Sequence, residues 1–526
     1  MGIIPIADRT WRLHVINNFS GGMAMPPRDD TEASLIDNFY ITRSGSLVSR
    51  PGLKKYNSTD LGTDVTVGLG IGALGAARKT LFVFKKGTRV FLGGTSSHVP
   101  TTFSEISGPD TGYNPVMMEP VEGSSGVYYT IFACPHWTGL YEFHDDTPAL
   151  TALSKINDSP SGFQYIKLAG QRMYTAGNPS KPYVVRFSDA GDPLSWPTAN
   201  EFSVPASRGR ITGLERQAGV LLIFTERAVL QLQGDPPSNF KLLTVHENIG
   251  ALHPMSLGTV GAVTAFLSDY GFMYVSGGVE AFGEKIDGSM DIPRSPEASR
   301  PSNIFIWGAL TPDYYVCRTR AVNPDPAVGF IVNHEVWTGR DEKMYLFDRN
   351  RFRSWVRLVY PPSAVPDSIG YRNARFCPIL WIPEADGIVM AGGNGDLYLQ
   401  TLQLYADEWQ REDSTDHPDI PVISRLVSRY YTFGDMAMVK QWRRATVTGF
   451  GHISSLKLDT IGGHSSLRYI HPLGSGPLPF QKDSPELDNR TSLFSAVRLD
   501  LSGTNMQVMG VDLSWRPARI SVRKHT

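Results

Sequence analysis

Hydrolysis of a glycosidic bond asks for two carboxyl groups roughly 5 to 9 Å apart across a sugar, and acyl transfer asks for a nucleophile with an orienting base. Asp145-Asp146, Glu226, Glu247, Asp269 and Glu284 qualify by residue type alone, and no spacing ties any of them to a partner. The sequence holds no G-x-S-x-G, no H-E-x-x-H and no P-loop ending in G-K-[ST]. His136, His246 and His253 share no metal-ligand spacing and read as structural histidines. Cys134, Cys317 and Cys377 are odd in number and far apart, which points to buried thiols in a reducing compartment instead of a disulfide framework or a zinc site. No catalytic, metal-binding or cofactor-binding residue is assigned on these grounds. An active site assembled from distant loops would leave no such motif.

Two patterns suggest known sites and fit neither well. Gly70-Ile71-Gly72-Ala73-Leu74-Gly75 matches G-x-G-x-x-G, whose chemistry needs a helix N-terminus behind it to hold a pyrophosphate. Behind it instead stands Lys79-Thr80-Leu81-Phe82-Val83-Phe84, a strand pattern, so the glycines are expected in a sheet. Ser188-Asp189 through Trp196 is similar to the Asp-box turn of sialidase-type propellers, but aspartate comes directly after serine and the element occurs once. A structural turn is expected there, with Asp189 bonding backbone amides and Trp196 packed beneath.

Basic residues cluster at Arg425, Arg429, Lys440, Arg443 and Arg444, and again at Arg516, Arg519, Arg523 and Lys524. One reading is a solvated face. The other is an interface, where guanidinium forks hold carboxylates or phosphates bidentately. The formal net charge of the whole chain is −1, which supplies no global attraction to nucleic acid or anionic lipid.

The elements that would position these residues are mostly strands. In 526 residues, 51 glycines and 37 prolines are spread without a period of three, so turns are many and long helices few. From Thr63 onward, short β-rich runs recur at intervals of roughly 35 to 55 residues. Leu81–Phe84 with Arg89–Leu92, and Val127–Phe132 with Gly139–Phe143, read as hairpins. Further groups lie at 163–187, 219–232, 263–282, 304–356 and 379–399, the sixth drawing strands from Met344–Phe347 and Ser354–Val356. Sheets too small to bury both faces must stack, which predicts an all-β chain with a β-propeller of six to seven irregular blades. Residues 1–60 and 406–526 are expected to form a split β platform around the propeller at 61–405. Asp29 as a cap, with Glu32 three residues on and Ala33, Leu35 and Ile36 behind it, reads as a short helix, or else as an irregular loop with two apolar anchors. Asn38–Gly52 predicts a hairpin turning at Gly45 and closed off by Pro51-Gly52. No secretory leader is expected, and no run approaches ~18 apolar residues, so no membrane span is expected.

Four stretches together resemble the tail nozzle proteins of short-tailed bacteriophages, also called tail tubular protein B or head-tail stabilisation proteins. They are Asn38-Phe39-Tyr40 through Arg50-Pro51-Gly52; Phe187-Ser188-Asp189 through Trp196; Leu222-Ile223-Phe224-Thr225-Glu226 with Gly234, Ile249-Gly250-Ala251, Pro254, Ser256 and Phe266 to Gly271; and Tyr430 to Gly434 with Lys440 beyond it. The resemblance implies a structural virion protein without catalytic residues or cofactors, assembled in the host cytoplasm and located in the tail. It implies a homohexameric ring attached to the adaptor ring below the portal, continuing and gating the channel for genomic double-stranded DNA. Tail fibres or spikes are further partners of that kind. On this reading the platform hairpin stands at the adaptor or a neighbouring subunit, with Arg43 and Arg50 in contact, and the Arg425, Arg429, Lys440, Arg443 and Arg444 cluster serves the same interface. Two other classes stay open: a propeller-type glycan hydrolase acting on capsule or cell wall, and a receptor-binding or scaffold propeller.

Overall fold

A computed structural model describes residues 12–24, 32–50, 54–73, 79–93, 100–144, 151–283, 304–321, 330–337, 342–349, 353–360, 378–401, 415–428, 440–461, 480–483 and 493–517, apart from single residues and short gaps within them. The chain divides into two compact units, Leu53–Met344 with Tyr360–Leu402, and Met1–Gly52 with Tyr345–Val359 and Gln403–Thr526. Among the described residues the helical elements are three short 3-10 turns, so the class is all-β.

The larger unit is a series of small antiparallel sheets. Five consecutive four-stranded sheets begin with the strands Thr66–Ala73, Met117–Glu122, Tyr165–Ala169, Ile211–Gln217 and Gly258–Val260, and within each the strands pair in chain order. The hairpin Ile304–Leu310/Tyr314–Ala321 comes next. A last sheet is built from Ile379–Ile382, Gly387–Ala391 and Leu397–Thr401.

The central strands explain why these sheets stack. Successive side chains of a strand point to opposite faces, so a strand covered on both sides reads as a continuous apolar run. Phe82 and Phe84 pack against Phe132, Trp137 and Phe143 of the second sheet. Their neighbours Leu81 and Val83 turn the other way, onto Val389, Ala391 and Leu397 of the last sheet. The same partition recurs at Ile131/Phe132 and at Leu222/Ile223, each alternate residue feeding the core in front or behind. Phe272 and Phe282 of the fifth sheet meet Tyr315 of the next hairpin. Arg318 there donates Nη1 to the carbonyl of Ala391 at 2.9 Å. The packing order therefore returns to its start, and the first strand of each sheet touches the first strand of the next all the way round.

The seam is closed by the beginning of the unit. Lys54–Lys55 forms the fourth strand of the last sheet, with Lys55 opposite Tyr398 and Lys54 opposite Leu399. Asn57 then replaces ladder bonds with side-chain ones: Oδ1 accepts from Leu397 N at 2.7 Å, and Nδ2 donates to Asp396 Oδ1 at 2.8 Å and Thr59 O at 2.7 Å.

The smaller unit is one sheet whose strands Glu32–Asp37, Ile423–Ser428, Ala496–Pro517, Lys440–Ile461 and Phe480–Asp483 pair in that order. The two longest strands have 22 residues each and pair antiparallel with four register shifts, which let so long a ribbon twist. Residues 32–37, expected as a helix, are a strand. Ala33, Leu35, Ile36 and Asp37 face Ser428 to Arg425 across the ladder, and sheet pairing on both sides of this buried strand overrides the capping pattern. Strands also form at Glu342–Asp348 and Trp355–Tyr360, and they follow Ile304–Leu310 and Tyr314–Ala321 in strand order, as the sequence predicts for the sixth sheet. The Arg357 guanidinium, on the last of these strands, is buried and grips Asp37 through Nε–Oδ1 at 2.7 Å and Nη2–Oδ2 at 3.0 Å.

The expected hairpin forms from Phe39–Ile41 and Leu47–Ser49, with Tyr40 opposite Val48. Gly45 turns it at φ +83°, and a Cβ there would stand 2.1 Å from Asn18 Oδ1. Leu47 and Val48 continue into the ladder of Ala496–Pro517, opposite Val508 and Gln507.

Candidate functional site

The first strands of successive sheets touch one another, and three of them carry a charged side chain into that contact. Glu119, Lys167 and Glu215 occupy the first strands of the second, third and fourth sheets. Lys167 Nζ lies 3.3 Å from Glu119 Oε2 and 3.5 Å from Glu215 Oε2, all three side chains largely out of solvent. Burial opposes the lysine charge, yet the two carboxylates outweigh it and hold the ammonium protonated above its ordinary range. Burial pushes the Glu119 carboxyl up, Lys167 draws it back and Glu215 adds repulsion. A lysine held protonated is no nucleophile, so the cluster acts as a pin across three sheets.

A second buried cation sits at the seam. Lys85, fully buried at the end of its strand in the first sheet, donates to the carbonyl of Gly395 in the last sheet and to Thr66 Oγ1 at 3.1 Å. Burial lowers its pKa to about 8, against the opposing pull of Asp396, Asp64 and Asp60 and with a small push from Arg89. Gly395 has φ +88°, and its missing Cβ would strike Gly62 O.

The G-x-G-x-x-G stretch lies in the strand Thr66–Ala73, as its surroundings predict, with Gly75 outside the described residues. A Cβ at Gly70 would lie 2.5 Å from Met118 Sδ, and one at Gly72 2.3 Å from the Phe82 ring and 2.6 Å from Thr130 Oγ1. These glycines make room for the neighbouring sheet. Gly250, in a stretch that carries the resemblance, would place a Cβ 2.0 Å from Thr225 O.

The Ser188–Trp196 turn is structural, with one correction. The Asp189 carboxylate accepts from Ser195 Oγ at 2.6 Å and Asn200 Nδ2 at 3.1 Å, while the backbone amide of Leu194 goes to Asp192. Trp196 is buried and donates to Pro193 O at 2.9 Å.

Of the carboxylates picked by type, Glu226 is taken by Arg210 at 2.6 Å and Glu247 by Arg208 at 2.5 Å. Asp269 lies at the turn of the fifth sheet's central hairpin. Asp145, Asp146, Glu284 and His253 lie outside the described residues, His136 is exposed, and His246 sits opposite Val229 on the outermost strand of the fourth sheet. Among the described residues no three His, Cys, Asp or Glu side chains gather as a metal site.

The candidate interface arginines fare differently. Arg50 is 0 % exposed, and its Nε donates to Asn38 Oδ1 at 2.9 Å. Arg43, Arg429 and the stretch Tyr430–Gly434 lie outside the described residues. Arg425 is exposed, opposite Asp37 and Ser502 in its ladders. Lys440 pairs with Pro517 and Phe494, Arg444 pairs with Ser514, and Arg443 falls at a register shift between Trp442 and Arg444.

The buried Arg50 corrects the partners that the resemblance implied. A joint to an adaptor ring or a second subunit through this hairpin requires a guanidinium at the surface, and Arg50 is spent inside its own chain. The homohexamer, the adaptor ring, the fibres or spikes and the lumenal DNA are set aside with that joint. Among the described residues no helix is long and apolar enough to cross a membrane.

No family model matches the chain, and no curated protein matches it.

Sequence reading missed the three-residue pin. Its signal was present: the interval of 48 residues from Glu119 to Lys167 is repeated from Lys167 to Glu215, so one strand position in the repeat bears a charge three times running.

Proposed function

We propose that the chain is a non-catalytic structural protein of a short phage tail, of the tail-nozzle type, whose larger unit is a seven-bladed β-propeller. The observation that carries this reading is the return of the sheet series onto itself, with Lys54–Lys55 completing the sheet of Leu397–Thr401. That closure supports a ring of seven blades, counting the sheet that begins at Ile304–Leu310 as the sixth. The separate β unit drawn from three chain segments supports the nozzle type, since the resemblance anticipates a split β domain beside a propeller.

The charges also favour a structural role. Glu119, Lys167, Glu215 and Lys85 are engaged in holding sheets together, and Glu226 and Glu247 are each paired with an arginine. A hydrolase would need free, facing carboxylates.

The test is immunogold electron microscopy of virions assembled with this gene, together with particles in which it carries an early stop codon. Gold at the tail, and tailless or short-tailed particles from the stop variant, support the reading. Label on the capsid or none at all, or glycan cleavage by the purified chain, overturns it.

A further inference from the structure

The last sheet differs from the five four-stranded sheets that open the series in the source of its outermost strand. In those five the strands follow one another along the chain, each joined to the next by a connection of its own. Lys54–Lys55 comes instead from the other end of the unit, and Asn57 just after it lies 340 residues from its partner Leu397. No turn ties this strap, Lys54–Gly62, to the sheet that it completes. Its covalent link within the unit runs forward, through residues 63–65 into Thr66–Ala73 of the first sheet.

What fastens the strap is small on both sides. Toward the last sheet it makes two ladder pairs, a bond from Tyr56 N to Leu397 O at 2.8 Å, the Asn57 side-chain bonds and an ion pair of Lys55 with Asp396 at 2.9 Å. Toward the first sheet, Ser58 N donates to Thr101 O at 2.8 Å and Phe103 N to Thr59 Oγ1 at 2.9 Å. Tyr56 and Leu61 are its apolar anchors, buried in the core that the first and last sheets share. That core has contacts of its own without them. Leu81 and Val83 lie against Val389, Ala391 and Leu397, and Lys85 reaches Gly395 O from the first sheet.

We infer that Lys54–Gly62 is a latch that unfastens as one unit while the ring of sheets stays folded and stacked. It can swing out on its link to Thr66 without any other strand losing a turn, and segments with few contacts are the ones that open first. Unfastening bares the outer edge of Leu397–Thr401, a row of backbone groups that can take up another strand. Latched, the chain caps that edge with its own segment, so the strap is an autoinhibitory contact against strand addition. The inference rests on the closed ring and does not depend on the tail reading.

The test reads amide exchange residue by residue, by mass spectrometry on the full chain without denaturant. The amides of Tyr56, Leu397 and Phe103 lie on three different elements and are bonded across the strap. They exchange with one common protection, about hundredfold below that of Leu222 and Met173 in central strands. Ile223→Val, a small deletion in the buried joint of the third and fourth sheets, speeds Leu222 and Met173 about two- to tenfold and leaves the three strap amides unchanged. Lys55→Cys with Tyr398→Cys, two positions that stand opposite each other, slows the three amides to the protection of Leu222 when oxidised and releases them when reduced. Strap amides that move with Leu222 in the Ile223→Val chain open only by global unfolding and overturn the inference. So do three unrelated protections, or a crosslink that forms and slows none of them.

Discussion

Replacing Lys85 by methionine tests the seam through its pH dependence. The ammonium is fully buried and its pKa falls from 10.5 to about 8, with desolvation the largest cause. Below pH 8 both folded and unfolded states carry the proton, and the folded state bears the whole desolvation cost. Between pH 8 and 10.5 the unfolded state binds more protons, so stability rises with pH and the cost has gone above 10.5. A difference of 2.5 units at about 1.36 kcal/mol per unit gives roughly 3 kcal/mol. Asp396, Asp64 and Asp60 pull the lysine pKa up and Arg89 pushes it down, and burial outweighs them. Urea unfolding by tryptophan fluorescence, at about pH 7.5, 9 and 10.5 for wild type and Lys85→Met, isolates the contribution because other lysines and tyrosines cancel in the difference. Wild type should gain on the variant by about 3 kcal/mol from the lowest pH to the highest. A difference that stays flat, or that moves in favour of the variant, refutes a buried, charged Lys85 at the seam.

Lys167→Met leaves Glu119 and Glu215 facing each other without their cation and should cost roughly 3–5 kcal/mol in urea unfolding; adding Glu119→Gln should recover part of it. Equal stability of Lys167→Met and wild type would remove the pin. Asn57→Ala orphans the Leu397 amide and removes one partner of Asp396, costing about 3 kcal/mol, and amide exchange at Leu397 should accelerate before exchange in the other sheets does. Arg50→Glu should destabilise the isolated chain by roughly 3–5 kcal/mol, seen as a lowered melting temperature, because Arg50 is buried; a normal melting temperature would return it to the surface. Gly250→Ala forces a methyl against the backbone at Thr225 and should cost about 1–3 kcal/mol by the same assay.

Much of the fold was legible because two-sided burial writes itself into sequence. Leu81-Phe82-Val83-Phe84 and Val220-Leu221-Leu222-Ile223-Phe224 are too apolar to have a wet face, and short runs bounded by Gly, Pro and Asp could only be sheet strands. The closure by Lys54–Lys55 was not legible, since two lysines bear no strand signature and their place is set by partners at Tyr398 and Leu399, far along the chain. Glu32–Asp37 misled for a related reason: a capping pattern is local, while the strand depends on Ile423–Ser428. Arg50 looked like a surface cation because a sequence does not show that Asn38 will turn its side chain inward to meet it. At Glu119, Lys167 and Glu215 the residues were visible, and what was hidden was that three successive first strands converge.

A seven-bladed ring closed by its own N-terminal strand, within a phage tail protein, is the central claim. Cryo-electron microscopy of virions assembled with this gene tests it most directly. The predicted result is tail density into which residues 54–401 fit as seven sheets around one axis, with Lys54–Lys55 paired to Tyr398 and Leu399. Tail density without this chain, or a chain whose first and last sheets stand apart, would contradict it.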